Sequence, residues 1–468
     1  MVGHRIASRL EAACTMLRVH RKRVREVALR GGTLLEQLAS RRNARRAFIH
    51  LREVYKEFCT QRDGLRSPRV NTTQASLAGG KFWRHIRENP DDGAYMQFFG
   101  VPVFLFKHIA ARMKPLVPHK YDPARRDTLG VVGRGRKFSH EVDYFDLTAF
   151  SLRRLQIISV DKDMCRDFGI NWATLSRHLE VGKMYLQPVI RSFHEARVVY
   201  PSLDEAQEQL KGLIAQHGPP PEKWKAEAHP PVLFVDGMFT PRKKCGDLEQ
   251  QEAFQSGLHG PGSNNLLMND ISGTYVDAAI GGTGTINDGR MNRQMFERHQ
   301  SPEINPHRLG LVADTAFRHK RRFVGDGAPV WTTLKDGEKI FAGWTKKEFL
   351  HHASYVPKAR SSNENMNGGL QKSFPRVHKK VSIAHHAEAV DDLATCMMLF
   401  NLRTRVVGFN QLRTMFMRHV DMNFREQLER GQGKGGLARY MELAEARWAA
   451  AMNNDVCDEP MEFELDEN

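Results

Sequence analysis

The chain has little cysteine, and its cysteines are widely separated. None of the six is part of a Cys-x-x-Cys pair: Cys14, Cys59, Cys165, Cys245, Cys396 and Cys457. This spacing argues against a zinc knuckle and against a disulfide framework, because both place cysteines at short, regular intervals. We therefore expect the protein to work in a reducing compartment.

Long apolar runs are also missing. No stretch approaches the roughly 18 uncharged apolar residues of a membrane-spanning helix. Arg and His interrupt residues 1–25, where a secretory signal would carry its apolar segment. Glu11, Glu26 and the lack of a Ser-rich stretch disfavour a transit peptide. The expectation is a soluble, intracellular protein with no membrane partner.

Two further motifs are incomplete. The glycine-rich stretch 281–284 is not followed by Lys-Ser or Lys-Thr, which argues against a nucleotide-binding P-loop. The histidine pairs 351–352 and 385–386 are adjacent, and neighbours on a helix point apart. Neither pair therefore predicts a zinc site.

Basic residues are abundant. Lys and Arg total 70 against 54 Asp and Glu, which gives a formal net charge of +16. An excess of this size suits a polyanionic partner, and nucleic acid is the leading candidate. The beginning of the chain is especially basic and residues 455–468 are acidic, so each end is expected to have a partner of its own. The alternative for both ends is a solvated, partly disordered tail.

Length and proline content predict the domain organisation. A chain of 468 residues favours two domains of roughly 100–200 residues each, plus extensions. The Pro-rich stretch is the clearest linker, because proline cannot continue a helix. The predicted division is a basic helical N-terminal extension (1–80), a helical region (81–216), the linker (217–231), an α/β domain (232–415) and a helical C-terminal extension with an acidic tail (416–468).

The helical region contains a pattern typical of a helix-turn-helix, at about 142–186. Helices are predicted over 143–154, 161–168 and 172–186, with Gly169 permitting a tight turn and Asn171 capping the last helix. In this arrangement the start of the last helix faces the DNA major groove and presents Arg177 and His178. The alternative is a purely structural helical bundle.

The second domain begins with apolar strands that end on aspartates. Val232-Leu233-Phe234-Val235 predicts a buried strand that ends on Asp236, and 309–313 predicts another that ends on Asp314. Further strands are predicted at 265–268 and 274–280, joined by a Ser-Gly turn. We expect the two aspartates to converge at one edge of the sheet.

Converging carboxylates are what metal-dependent cleavage of a phosphodiester requires. Two divalent ions, Mg²⁺ or Mn²⁺, activate water and relieve charge on the phosphate, and both prefer carboxylate oxygens. The third candidate is Glu364, in the first turn of a helix predicted to start near Ser361 or Ser362 and anchored by Leu370 and Phe374. Taken singly, each acid has an ordinary alternative as a turn residue or a partner of the helix dipole.

A wider set of motifs resembles the DDE domain of PIF/Harbinger transposases and of the nuclease-like proteins derived from them. The resemblance covers roughly 82–413. The motifs that carry it are Val235-Asp236-Gly237, Gly282-Thr283-Gly284-Thr285-Ile286-Asn287-Asp288, Leu311-Val312-Ala313-Asp314, Asn363-Glu364 followed by Gly368, Leu370, Phe374 and Arg376, and Leu399-Phe400-Asn401-Leu402-Arg403. Thr285 and Asn287 depart from the usual Ser and His, and the residues beside Glu364 are atypical.

The resemblance implies a fold and a reaction. The fold is α/β, an RNase H-like mixed sheet flanked by helices over 232–415, preceded by an all-α region with the helix-turn-helix-like unit. The implied function is a DNA endonuclease or transposase of the DDE type. Asp236 would bridge two metal ions, Asp314 and Glu364 would hold one each, and Asp288 is a supporting candidate or a helix cap.

Partners and location follow from the same resemblance. Two basic clusters follow catalytic candidates and are expected to contact phosphates, with a solvated surface as the alternative; they contain Arg242, Lys243, Lys244, Lys320, Arg321 and Arg322. A Myb-like DNA-binding protein and a second copy of the chain are further implied partners, and the nucleus, with the cytoplasm, is the implied location. The alternative function is a domesticated, catalytically silent DNA- or protein-binding factor.

Overall fold

The computed structural model describes a mixed α/β fold in which helices flank an open, mixed sheet. The described residues are 81–116, 143–158, 161–243, 252–256, 260–284, 288–321, 327–335, 337–408, 410–417 and 436–454. All of them belong to one unit, residues 80–468. The predicted N-terminal extension, the acidic tail 455–468, Lys244 and Arg322 lie outside the described residues.

The described elements that precede the first strand are helical. They are α1 (Lys81–Glu88), α2 (Asp92–Phe99), α3 (Val103–Met113), α4 (Tyr144–Gln156), α5 (Asp161–Phe168), α6 (Trp172–Arg191) and α7 (Leu203–His217), with short 3₁₀ helices at His194–Ala196 and Glu222–Trp224. Three aromatic side chains of α2 and α3, Tyr95, Phe99 and Phe106, are fully buried. The small helical core predicted for 82–116 is confirmed.

The three helices predicted around the Gly turn are confirmed as α4, α5 and α6. Gly169 adopts a φ of 66°, a left-handed conformation that glycine accepts without strain. The Asn171 side chain caps α6 by accepting a hydrogen bond from the Thr174 backbone N–H, at 2.9 Å. The last helix is longer than predicted and continues through Pro188 to Arg191.

The sheet contains seven strands within the described residues. They are β1 (Leu233–Lys243), β2 (Gln255–Ser256), β3 (Gly260–Asp270), β4 (Tyr275–Thr283), β5 (Leu311–Ala313), β6 (Val330–Thr332) and β7 (Val381–Ser382). The order is β2-β3-β1-β5-β6, with β4 paired to β3 and β7 to β1. Pairs β1–β3, β3–β4 and β2–β3 are antiparallel, whereas β1–β5, β5–β6 and β1–β7 are parallel.

Helices follow and cover the sheet. They are α8 (Asp288–Gln300), α9 (Lys346–Ser373), α10 (His386–Val407), α11 (Gln411–Phe416) and α12 (Gly436–Asn454), with 3₁₀ helices at Thr315–Lys320, Pro375–His378 and Ile383–His385. Helix α9 packs against β1 and β5, and α10 packs against β4. Over the described ranges, no helix is both long and apolar enough to cross a membrane.

One hydrophobic core runs through the described part of the chain. It includes Trp83 in α1, Phe234 in β1 and Trp448 in α12, and so it joins elements on both sides of the predicted linker 217–231. The predicted domain boundaries stay a prediction, which a folding experiment can test.

Candidate active site

Asp236 lies in β1, and Asp314 directly follows β5, which pairs with β1 in parallel. The register pairs Leu233 with Leu311 and Phe234 with Val312. Continuing that register by two residues places Asp236 level with Asp314. The residues just before them, from Leu233 to Val235 and from Leu311 to Ala313, are fully buried. Both aspartates therefore directly follow buried strand residues, at equivalent positions just beyond the paired part of β1 and β5.

The strand that carries Asp236 does not end there, and this corrects the prediction. β1 continues to Lys243 because it remains paired with the antiparallel strand β3, from Leu233–Asp270 to Pro241–Gly262. Its pairing with β5 stops after Phe234–Val312. Asp236 thus lies where the parallel neighbour ends while its own strand goes on. The side chain of Asp236, next to the end of the β1–β5 pairing, is 21% exposed.

Asp314 has a local structural contact as well. One carboxylate oxygen, Oδ1, accepts a hydrogen bond from the Ala316 backbone N–H at 2.7 Å, at the start of the 3₁₀ helix Thr315–Lys320. The other oxygen has no hydrogen-bond partner among the described residues. Asp314 can therefore keep its turn contact and still offer an oxygen at the edge of the sheet.

Glu364 does not open a helix, and this also corrects the prediction. Helix α9 has 28 residues and begins at Lys346, where Thr345 and Glu348 form a capping box. Residue 364 lies in its second half, and the side chain of Glu364 is outside the described set. The predicted anchors Leu370 and Phe374 are both fully buried, as expected.

A residue that the sequence did not single out, Arg360, brings α9 to the site. Its guanidinium nitrogen Nη2 lies 3.9 Å from Oδ1 of Asp236. Residue 364 follows one turn later, and residues four apart lie on the same helix face. The helix that carries Glu364 therefore passes beside Asp236. One sequence feature could have identified Arg360: the Thr345-x-x-Glu348 capping box predicts a helix that begins early enough to include it.

The described carboxylates fit the chemistry of Mg²⁺ or Mn²⁺. Both ions prefer hard oxygen ligands, which the carboxylates of Asp236 and Asp314 can supply. Among the side chains that the structure describes, no three His, Cys, Asp or Glu residues form a group that could hold a metal ion. The side chain of Glu364 lies outside the described set.

Asp288 is the first described residue of α8. Its side chain lies outside the described set, as do those of residues 289 and 290. Its suggested roles, as a support for the site or as a helix cap, stay predictions.

The two helix-turn-helix candidates differ in exposure. Arg177 is exposed on α6, close to Trp172, whose side chain is 45% exposed at the start of the helix. His178 is half-buried and stacks on Phe150 of α4, with ring centroids 5.4 Å apart. Arg177 is therefore available to solvent, whereas His178 contributes to the packing of α6 on α4.

The residues of the two basic clusters also differ in exposure. Lys243 is exposed and Lys320 is half-buried. Arg242 is only 4% exposed; its Nη2 donates to Ser263 Oγ at 2.9 Å, and burial lowers the pKa of Arg242 to about 10. Arg321 forms an ion pair with Glu338 and lies over the Phe341 ring. Arg242 and Arg321 thus stabilise the fold around the strands.

No protein-family model matches the chain, and no curated protein or solved structure matches it either. A function for this chain has to be inferred from its own residues and their geometry.

Proposed function

We propose that the protein is a metal-dependent DNA nuclease of the DDE type, with Asp236, Asp314 and Glu364 as its catalytic carboxylates. The observation that carries the proposal is the parallel pairing of β1 with β5, because Asp236 and Asp314 each come two residues after the last pair, Phe234 with Val312. A helix that passes beside Asp236 adds the third acid in sequence. On this proposal, the mixed sheet is RNase H-like and the chain belongs with the PIF/Harbinger transposases that it resembles.

The carboxylates would supply the oxygen ligands of two divalent ions, Mg²⁺ or Mn²⁺. Once bound, such ions activate water and stabilise the charge that develops on phosphorus. Asp236, beside the parallel neighbour strand, would supply oxygen ligands to these ions. Asp314 offers its second oxygen, and its turn contact with Ala316 holds its side chain in position.

DNA would be held by exposed cations away from the carboxylates. Arg177 on α6 and Lys243 on β1 are exposed in the described structure, and Lys320 is half-buried. Cationic side chains of this kind bind backbone phosphates and make binding sensitive to salt. The proposal includes nuclear DNA as the substrate, and a Myb-like protein and a second copy of the chain as partners.

A plasmid-nicking assay tests the proposal. With Mg²⁺ or Mn²⁺ we expect the wild type to nick supercoiled DNA, and Asp236→Ala, Asp314→Ala and Glu364→Gln each to lower the rate by at least about 1000-fold, because each removes a metal ligand. Glu303→Gln is the matched control, since it removes an exposed carboxylate outside the site. Activity that survives any of the first three substitutions would refute the assignment.

A second candidate function is DNA binding without cleavage. The observation that favours it is the presence of Thr285 and Asn287 where the resembling family has Ser and His. In that case all variants would bind DNA equally, and neither they nor the wild type would nick it.

A further inference from the structure

The Arg360 guanidinium beside Asp236 has no role in the proposed cleavage reaction. The two side chains are 23% and 21% exposed, so the pair is largely shielded from solvent. A shielded charge pair is screened by salt less than an exposed one. A positive charge is therefore held at the edge of the sheet where the proposed site gathers carboxylates.

Helix α9 fixes this charge in place. Helix α9 packs against both β1 and β5, the strands that carry or precede Asp236 and Asp314. Arg360 and the backbone of residue 364 are one helical turn apart. The cation therefore lies beside Asp236 and comes from a residue one helical turn before the third acid.

We propose that Arg360 is the internal counter-ion of the metal site. It balances the charge of Asp236 while no divalent ion is bound, and its charge opposes the binding of such an ion. The inference rests on the proposed function, because it takes Asp236 as a metal ligand. Two cations beside one carboxylate repel each other. Arg360 thus stabilises the metal-free protein and lowers its affinity for metal, as a positioning residue that is not itself a ligand.

Thermal unfolding of the full chain during a Mn²⁺ titration measures this effect without any reaction. We expect Arg360→Gln to melt below the wild type in EDTA and to bind Mn²⁺ with a dissociation constant about tenfold smaller, a change of 1.4 kcal/mol. Arg360→Lys keeps the charge and should bind as the wild type does. Arg360→Met, which keeps an aliphatic stem, is the second neutral variant if the amide disturbs folding.

Lys358→Gln is the matched control. It removes a positive charge from the same helix at an exposed position two residues away. Because residues two apart do not share a helix face, we expect it to leave Mn²⁺ affinity unchanged. An equal gain in affinity for Lys358→Gln and Arg360→Gln would overturn a specific role for Arg360.

The remaining outcomes separate this inference from the proposed function. If Asp236→Asn loses Mn²⁺ binding but neither neutral variant of Arg360 gains it, the counter-ion role is overturned and the metal site stands. If Arg360→Lys gains as much Mn²⁺ affinity as Arg360→Gln, the counter-ion role is also overturned, because the charge of Arg360 is the proposed cause. If the wild type and Asp236→Asn respond identically to Mn²⁺, both proposals fail.

Discussion

At the scale of single residues, Glu388 illustrates how one carboxylate joins distant helices. Its Oε1 accepts hydrogen bonds from Arg154 of α4 at 2.6 Å and from Lys183 of α6 at 2.5 Å. Arg154 also binds Asp392, one turn further along α10, at 2.5 and 2.8 Å. Burial raises the pKa of Glu388, but the bonds and charges of Lys183 and Arg154 outweigh it and lower the pKa to about 2.

This shift predicts a pH dependence of stability. A carboxyl group with a folded-state pKa below its ordinary 4.5 stabilises the fold fully above pH 4.5, and the stabilisation is lost as pH falls towards 2. We expect Glu388→Gln to lower the melting temperature by a constant amount near neutral pH. Below about pH 4.5 the difference between the two proteins should shrink, and it should vanish near pH 2.

Paired melting curves from pH 7 to 2 measure this difference. The other ionisable groups that face Glu388, including His385 at 3.5 Å, remain in both proteins and largely cancel in the comparison. A difference that stays constant down to pH 2 would contradict the assigned pKa.

The candidate site shows which residues a sequence can identify. The buried apolar runs before Asp236 and Asp314 could be predicted as strands, but the continuation of β1 past Asp236 could not. Arg360 could not, because its contact with Asp236 depends on how α9 crosses the sheet. For the same reason the burial of Arg242 was not foreseen, since its bond to Ser263 joins residues of two different strands.

At the scale of elements, the Asn171 cap supports the whole helix-turn-helix-like unit. Its side chain satisfies a backbone N–H at the start of α6, a helix of 20 residues. Asn171→Ala should lower the free energy of unfolding by about 1 kcal/mol, whereas Asn171→Asp, which keeps an acceptor oxygen, should restore most of it. Urea unfolding measures both. Equal stabilities of the Ala and Asp variants would show that the cap contributes nothing.

Helix α9 and strand β1 extend well beyond their predicted bounds, for identifiable reasons. In β1, the sequence predicted an end on Asp236, yet pairing with β3 keeps the strand extended through Gly237 and Pro241. In α9, Pro357 lies inside the helix and would ordinarily break it. In β1, pairing with β3 outweighs the weak strand preference of Gly237 and Pro241. In α9, packing of the helix against the sheet outweighs the helix-breaking effect of Pro357.

At the scale of the whole described unit, contacts cross the predicted linker in several places. Phe104 of α3 meets Trp448 of α12 with ring centroids 6.0 Å apart. Asn401 of α10 donates to the Arg197 carbonyl at 3.0 Å, and Arg403 donates to the Gly100 carbonyl at 3.3 Å. Elements before and after the linker therefore share both apolar packing and buried polar contacts.

Such sharing predicts a single cooperative unfolding transition. Phe106→Ala empties a fully buried position of α3 and should destabilise the protein by about 3–5 kcal/mol. The stacked Trp224–Trp331 pair, with centroids 4.3 Å apart, reports on the region of the sheet through near-UV circular dichroism. We expect the urea midpoint of this near-UV signal to shift together with that of the far-UV signal.

Phe82→Ala, at a residue 40% exposed, is the control and should shift both midpoints little. If the tryptophan signal kept its wild-type midpoint while the far-UV signal shifted, the helical and sheet regions would be independent folding units, divided at residues 217–231.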